Sequence, residues 1–219
     1  MDKAVIFDMD GVIIDSNPYH KIALKEFCAR YGYQLTEEEL RNKIYGRTNK
    51  EWIPALFNRV LTQEESRKYG EEKEQIFRDL YANDIRPVKG LVAFLEKLKA
   101  AAIPMAIGTS APRSNVDFVL QKTGIGDFFG VILDESDVSV GKPNPEIYVK
   151  TAARLKFSPH DCIVIEDSLS GVASGQASGA RVVGITTTHT AQELAHTDFI
   201  IADFVDLDPI WLIKKLFAL

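Results

Sequence analysis

Asp8, Met9, Asp10 and Gly11 follow the apolar run Ala4-Val5-Ile6-Phe7. A short apolar run closed by polar residues reads as a buried strand. The two carboxylates therefore stand at its carboxyl end, where open α/β sheets bind ligands. Like charges this close repel, and burying both requires a cation or a shared proton. The arrangement suits phosphoryl transfer: one carboxylate attacks phosphorus, a magnesium ion offsets the charge, and the other carboxylate moves protons. Gly11 lets the backbone turn sharply after the strand. Taken alone, the same quartet also describes an acidic surface turn.

Three further groups could join that chemistry. Met105-Ala106-Ile107-Gly108 ends in Thr109-Ser110; hydroxyls and amides there make a cradle for phosphate oxygens or, equally, a helix N-cap. Lys142 lies between Gly141 and Pro143 on a stiff loop before a helix carrying Ile147, Tyr148 and Ala152, as a fixed ammonium near the phosphate or a solvated lysine. Cys162-Ile163-Val164-Ile165 ends in Glu166-Asp167-Ser168. Magnesium takes hard oxygen ligands, and Asp8, the Asp10 carbonyl, and Asp167 or Glu166 could supply them; acids also gather at helix N-termini for the macrodipole alone. Gly171, Gly175 and Gly179 read as close helix–sheet packing.

The elements that must position these groups follow from hydrophobic period. Residues 1–15 predict one strand and a polar exit. Residues 16–82 predict helices only. Asn17-Pro18 opens the first of them and Gly32 ends it, and Thr36 to Glu39 and Thr62 to Glu65 match capping boxes. Trp52, Ile53, Leu56, Phe57 and Val60 share one predicted face, and Tyr69, Ile76, Phe77 and Leu80 another. From about 83 onward helix and strand alternate, with strands at 103–109, 131–133, 162–166, 181–185 and 198–201. That alternation predicts an α/β fold whose parallel sheet is covered on both faces. The first strand must join the sheet, so the helical stretch is an insertion after it.

Composition bounds the partners. The chain has 219 residues, 46% hydrophobic and 26% charged, with net charge -5. That net charge argues against nucleic acid or an anionic membrane as partner, because both want a basic face; a monomer is expected. Cys28 and Cys162 sit in apolar patterns and read as buried free thiols. The N-terminus runs straight into a strand, no apolar run approaches membrane-spanning length, and a reducing cytoplasm fits.

Asp8-Met9-Asp10-Gly11, Thr109-Ser110, Lys142-Pro143 and Glu166-Asp167, in that order, resemble the motifs of the haloacid dehalogenase superfamily of phosphotransferases, in its β-phosphoglucomutase-like branch of phosphatases and phosphohexomutases. The resemblance spans the whole chain. It implies a Rossmann-like core over 1–15 and 83–219, a helical cap domain over 16–82 that closes over the site, Mg2+, and an aspartyl-phosphate intermediate. It makes Asp8 the nucleophile and Asp10 the general acid and base. Thr109 and Lys142 would hold the transferring phosphoryl group, with Gly11 and Ser110 beside the substrate, and Asp8, Asp10, Glu166 and Asp167 would serve the metal. In the cap, Tyr19-His20 resembles the mutase-like pattern, Lys73 is a candidate to meet the core on closure, and Arg47 lies in the expected specificity loop. Family mutases place an arginine there for a distal phosphate; Arg47 stands slightly early and Asn49 nearer that place, which argues against mutase activity. Asp10 argues against dehalogenase and phosphonate-cleaving chemistry.

The resulting expectation is a magnesium-dependent phosphatase acting on a small phosphorylated metabolite, such as a sugar phosphate, through an aspartyl phosphate. The alternative is a phosphohexomutase using the same residues and returning the phosphoryl group to a second oxygen. A non-catalytic metabolite-binding module on the same fold is the third reading; such a module would be expected to have lost an acid or the lysine, and none is missing.

Overall fold

The computed structural model describes residues 2–44 and 48–218, without the side chains of 41–43. The chain divides into two compact units, Met1–Asp15 with Ile85–Leu219, and Ser16–Asp84.

In the first unit the described residues form a six-stranded sheet. Its strands are β1 (Ala4–Phe7), β2 (Met105–Gly108), β3 (Val131–Leu133), β4 (Cys162–Glu166), β5 (Arg181–Ile185) and β6 (Phe199–Ile201). They pair in the order β3-β2-β1-β4-β5-β6, every pair parallel. All residues of β1, β2 and β4 are buried, which is why they read as unbroken apolar runs rather than alternating ones. The predicted strands stand where expected, with 103–109 shortened to Met105–Gly108 and 198–201 to Phe199–Ile201.

Successive side chains go to opposite faces. Ala4 and Ile6 join Ala106, Val164 and Val182 in a core with Ile147, Tyr148 and Ala152 of α7 (Glu146–Leu155) and Val172 of α8 (Leu169–Ser178). Phe7 belongs to the other face, its ring 5.8 Å from Phe129 and 6.4 Å from Phe94 of α5 (Leu91–Ala100). Each such side chain contributes about 1.5–3 kcal/mol by burial. The chain builds outward from β1 to β2 and β3, then returns to place β4 on the other side of β1. β1 and β4 therefore flank the topological switch point, and it is beyond the carboxyl ends of such strands that open α/β sheets form their ligand crevice.

The exit from β1 is not polar as expected. Val12, Ile13 and Ile14 are fully buried, the Ile13 carbonyl accepts from Val88 N at 2.8 Å, and Ile14 bridges to Pro87. Buried backbone groups must find partners, and here the two passages of chain supply them to each other.

The Ser16–Asp84 unit holds α1 (Asn17–Arg30), α2 (Glu37–Lys43), α3 (Asn49–Phe57) and α4 (Gln63–Tyr81). Both expected capping boxes are present. A third, at Thr48, has the Glu51 carboxylate accepting from Thr48 N at 2.7 Å; its Thr-x-x-Glu spacing carried the same signal. Aromatic rings fill the unit: Phe27 lies 5.6 Å from Trp52, and Phe57 lies 4.7 Å from Tyr69. Val60 does not share the Trp52 face. The helix ends at Phe57, Asn58 turns left-handed, and Val60 is 92% exposed.

Cys28 and Cys162 are free, buried thiols, and burial pushes them up to about 11 and about 12. Among the described residues no helix is long and apolar enough to cross a membrane.

Candidate active site

The crevice residues arrive from the ends of β1, β2 and β4 and from the loop before α7. Asp8 follows β1, and its N–H reaches the Ile165 carbonyl at 3.1 Å, extending the β1–β4 ladder by one bond. The register pairs Phe7 with Ile165, so Asp8 and Glu166 are neighbours across the strands. Thr109 follows β2 in the same way, bonding Leu133 O at 3.1 Å. Its hydroxyl accepts from Ala111 N at 3.1 Å, which leaves the hydroxyl proton to donate. Ser110 beside it is exposed. Gly11 has φ +77, a conformation that a side chain would strain. Asp10 is half-buried, in a bridge to Ile14.

Lys142 reaches in from the loop before α7, across a cis peptide to Pro143. Its ammonium lies 2.7 Å from Asp8 Oδ1 and 2.7 Å from Glu166 Oε1, and 3.4 Å from Gly108 O. The side chain is 7% exposed. Of the two readings of this lysine, the structure displays the fixed ammonium.

Glu166 is fully buried and already saturated. Its Oε1 accepts from Lys142 and, at 2.6 Å, from the Tyr148 hydroxyl. Its Oε2 accepts from Asp167 N at 3.1 Å, Ser168 N at 3.2 Å and Ser168 Oγ at 3.1 Å. Ser168 also caps α8 through Gly171 N. A Cβ at Gly171 would lie 1.8 Å from Glu166 Oε1. Only a glycine lets this carboxylate sit over the first turn of α8. Packing against the sheet is instead the part of Gly175, where a Cβ would meet Val182 Cγ2 at 2.9 Å. Gly179 is the left-handed C-cap of α8.

Electrostatics explain what the site lacks in charge balance. Burial raises Asp8 to about 7, against the pull of Lys142. Burial, then the charges of Glu166 and Asp8, raise Asp167 well above the usual carboxylate range. Burial would raise Glu166 too, but Lys142, with the hydrogen bonds from Tyr148 and Ser168, outweighs it and holds that carboxyl low. Burial also pushes the Lys142 ammonium down, and its two carboxylate partners more than reverse that. One ammonium cannot neutralise three buried carboxylates. Ligand oxygens of Asp8, Glu166 and Asp167 lie within 4.8 Å of one another; with both Glu166 oxygens taken by their own donors, Asp8 and Asp167 are left to offer hard oxygens that fit a divalent cation.

Residues 5–185 match the family model described as haloacid dehalogenase-like hydrolase. The chain belongs to that family. It is 32% identical over 188 residues to a phosphorylated carbohydrates phosphatase of Thermotoga maritima, covering 84% of this chain and 85% of that one. It is 27% identical over 214 residues to a beta-phosphoglucomutase of Bacillus subtilis, covering 94% and 91%. The crystal structure of a family IA, variant 3 hydrolase from Entamoeba histolytica superposes with a TM-score of 0.89 at 33% identity, covering 98% and 99% of the two chains.

The hydrolase's Ser16–Asp84 unit brings His20 and Lys73 together. Lys73 Nζ lies 2.8 Å from His20 Nδ1 and 2.9 Å from Glu74 Oε1, and the His20 ring stacks on Phe77 at 3.7 Å. Lys73 and Glu74 are buried and His20 is half-buried. Asn49 donates to Glu74 at 2.7 Å and accepts from Trp52 Nε1 at 3.0 Å. Arg47 lies outside the described residues.

Sequence reasoning missed Tyr148, which its helical spacing made look like plain core. It also missed Thr187 and Thr188, which follow β5. Thr187 Oγ1 donates to the Gly11 carbonyl and Thr188 Oγ1 to Asp167 Oδ2. The signal was present: Thr186-Thr187-Thr188 closes an apolar strand just as Thr109-Ser110 does.

Proposed function

We propose that this hydrolase is a phosphatase that removes phosphate from a small phosphorylated metabolite, a sugar phosphate or a compound like it, through a phosphoryl group carried on Asp8. The observation that carries the reading is the Asp8 carboxylate at the switch-point crevice, held at 2.7 Å by Lys142 beside Glu166 and Asp167. An Asp8 oxygen attacks phosphorus, and the bond to the leaving oxygen breaks as Asp10 gives that oxygen its proton. Lys142, Thr109 and Ser110 hold the phosphoryl oxygens. Asp10 then takes a proton from water, whose oxygen attacks the phosphorus on Asp8 and frees inorganic phosphate and the Asp8 carboxylate. Glu166 acts at one remove, holding Lys142 in place. Asp8, Asp167 and the Asp10 carbonyl would hold Mg2+, which when bound neutralises charge on the phosphoryl oxygens. The Ser16–Asp84 unit serves as the cap that reads the rest of the substrate, with His20, Lys73 and Arg47 as its candidate contacts.

Hydrolysis of p-nitrophenyl phosphate tests this reading. Stripping the protein with EDTA should cut turnover at least ~100-fold, since a metal's charge stabilisation amounts to several kcal/mol. Restoring Mg2+ should restore it. Full activity in EDTA would refute the metal-assisted mechanism, and none with Mg2+ would refute the phosphatase. A screen of phosphorylated metabolites for phosphate release then finds the substrate.

A second reading, a mutase, is favoured by the Bacillus subtilis relative and its near-complete coverage. Against it, Asn49, nearest the place where family mutases keep an arginine, spends its amide inside the cap. Incubation of β-glucose 1-phosphate with a trace of the bisphosphate separates the two: phosphate release supports the phosphatase, and glucose 6-phosphate the mutase.

Gly171→Ala should lower turnover about 10²-fold, the usual result of shifting a supporting group by about 1 Å, because Glu166 must move and Lys142 moves with it. Gly175→Ala, on the same helix but packed on Val182 and Val164, should lower the melting temperature and spare kcat. Equal kcat losses in the two variants would deny Gly171 its role under Glu166.

A further inference from the structure

Two adjacent hydroxyls after β5 grip the crevice from a side that none of the four motifs occupies. Thr187 Oγ1 donates to the carbonyl of Gly11, in the turn that follows Asp8 and Asp10. Thr188 Oγ1 donates to Oδ2 of Asp167. The Thr186 N–H is bonded to Ile201 O at 3.0 Å, so the segment leaves the sheet from a fixed point. Asp167 is 3% exposed, whereas Thr188 lies at the surface. A surface residue that spends its hydroxyl on a buried carboxylate contributes little to the core. Its effect is on where that carboxylate points.

We infer that Thr188 is a positioning residue for the metal: its hydrogen bond fixes the Asp167 carboxylate in the orientation that ligates Mg2+. This rests on the magnesium reading above. An aspartate carboxylate turns about two side-chain bonds and loses entropy when a cation fixes it. A donor that has already fixed it removes that cost from the binding step. Partners of ligating carboxylates commonly matter at the level of 10–100-fold in metal affinity. Thr187, bonded to Gly11, anchors the same segment and keeps Thr188 within reach of Asp167.

Titration calorimetry of the full chain with MgCl2, after EDTA treatment and without substrate, tests the inference. Thr188→Val keeps the shape of the side chain and removes the donor, and its Mg2+ Kd should rise about 10–100-fold. Thr188→Ser restores the donor and should return the Kd to within about threefold of wild type. Melting temperatures in EDTA should be the same for all three proteins, because no metal is then there to be positioned. A wild-type Kd in Thr188→Val overturns the inference, as does a loss that serine does not rescue. A Thr188→Val chain that is unfolded in EDTA also overturns it, since the residue then serves the fold. Wild-type protein that takes up no Mg2+ at millimolar concentration overturns the magnesium reading itself, and the inference with it.

Discussion

Asp8→Asn is expected to lower turnover at least ~10³-fold, because the covalent route through this carboxylate disappears. The amide is nearly the same shape but a poor nucleophile and a poor ligand for a hard cation. The fold should survive. Asp8 is one of three carboxylates crowded in a buried space, and its own ionisation is opposed by burial and by Glu166. Neutralising it relieves that repulsion, while Lys142 keeps its bond to Glu166 at 2.7 Å. Steady-state hydrolysis of p-nitrophenyl phosphate, with a melting curve alongside, checks both halves. More than a tenth of wild-type activity would remove Asp8 from the nucleophile's role; a collapsed melting temperature would mean that it serves the fold instead.

Asp10→Ala is expected to slow breakdown of the phosphoenzyme by ~10² to 10⁴-fold, the usual range for general acid–base help. Its effect should divide unequally between the two steps. p-Nitrophenolate leaves without needing a proton, so transfer to Asp8 should survive. Attack by water needs the base, so the second step should not. Phosphorylated Asp8 should therefore accumulate in the variant, and rapid quench followed by mass spectrometry of the peptide carrying Asp8 would find it. Equal slowing of both steps for every leaving group would contradict the role. Trapping also separates this variant from Asp8→Asn, which should form no phosphoenzyme at all.

What was legible in the sequence was local. β1, β2 and β4 are buried on both faces, so each leaves an unbroken apolar run, and the polar residue ending each run marks the strand's carboxyl end. Asp8, Thr109 and Glu166 could be placed there with no knowledge of which strands are neighbours. The capping boxes of the helical unit are equally local, since three residues and one turn define them. What only the tertiary structure decided is pairing across the chain. Asp8 meets Lys142 across 134 residues, and Tyr148 meets Glu166 across 18. No period encodes those meetings; they depend on the strand order that puts β4 beside β1. Gly171 looked like a packing glycine because its spacing to Gly175 is helical, and only the folded position of Glu166 shows which atom needs the space. Val60 continued an apolar spacing that the chain abandons at Asn58, since a period shows which residues could share a face but not where the helix stops. Thr188 stands 21 residues from Asp167, and a hydroxyl's spacing says nothing of its acceptor until β4 and β5 lie side by side.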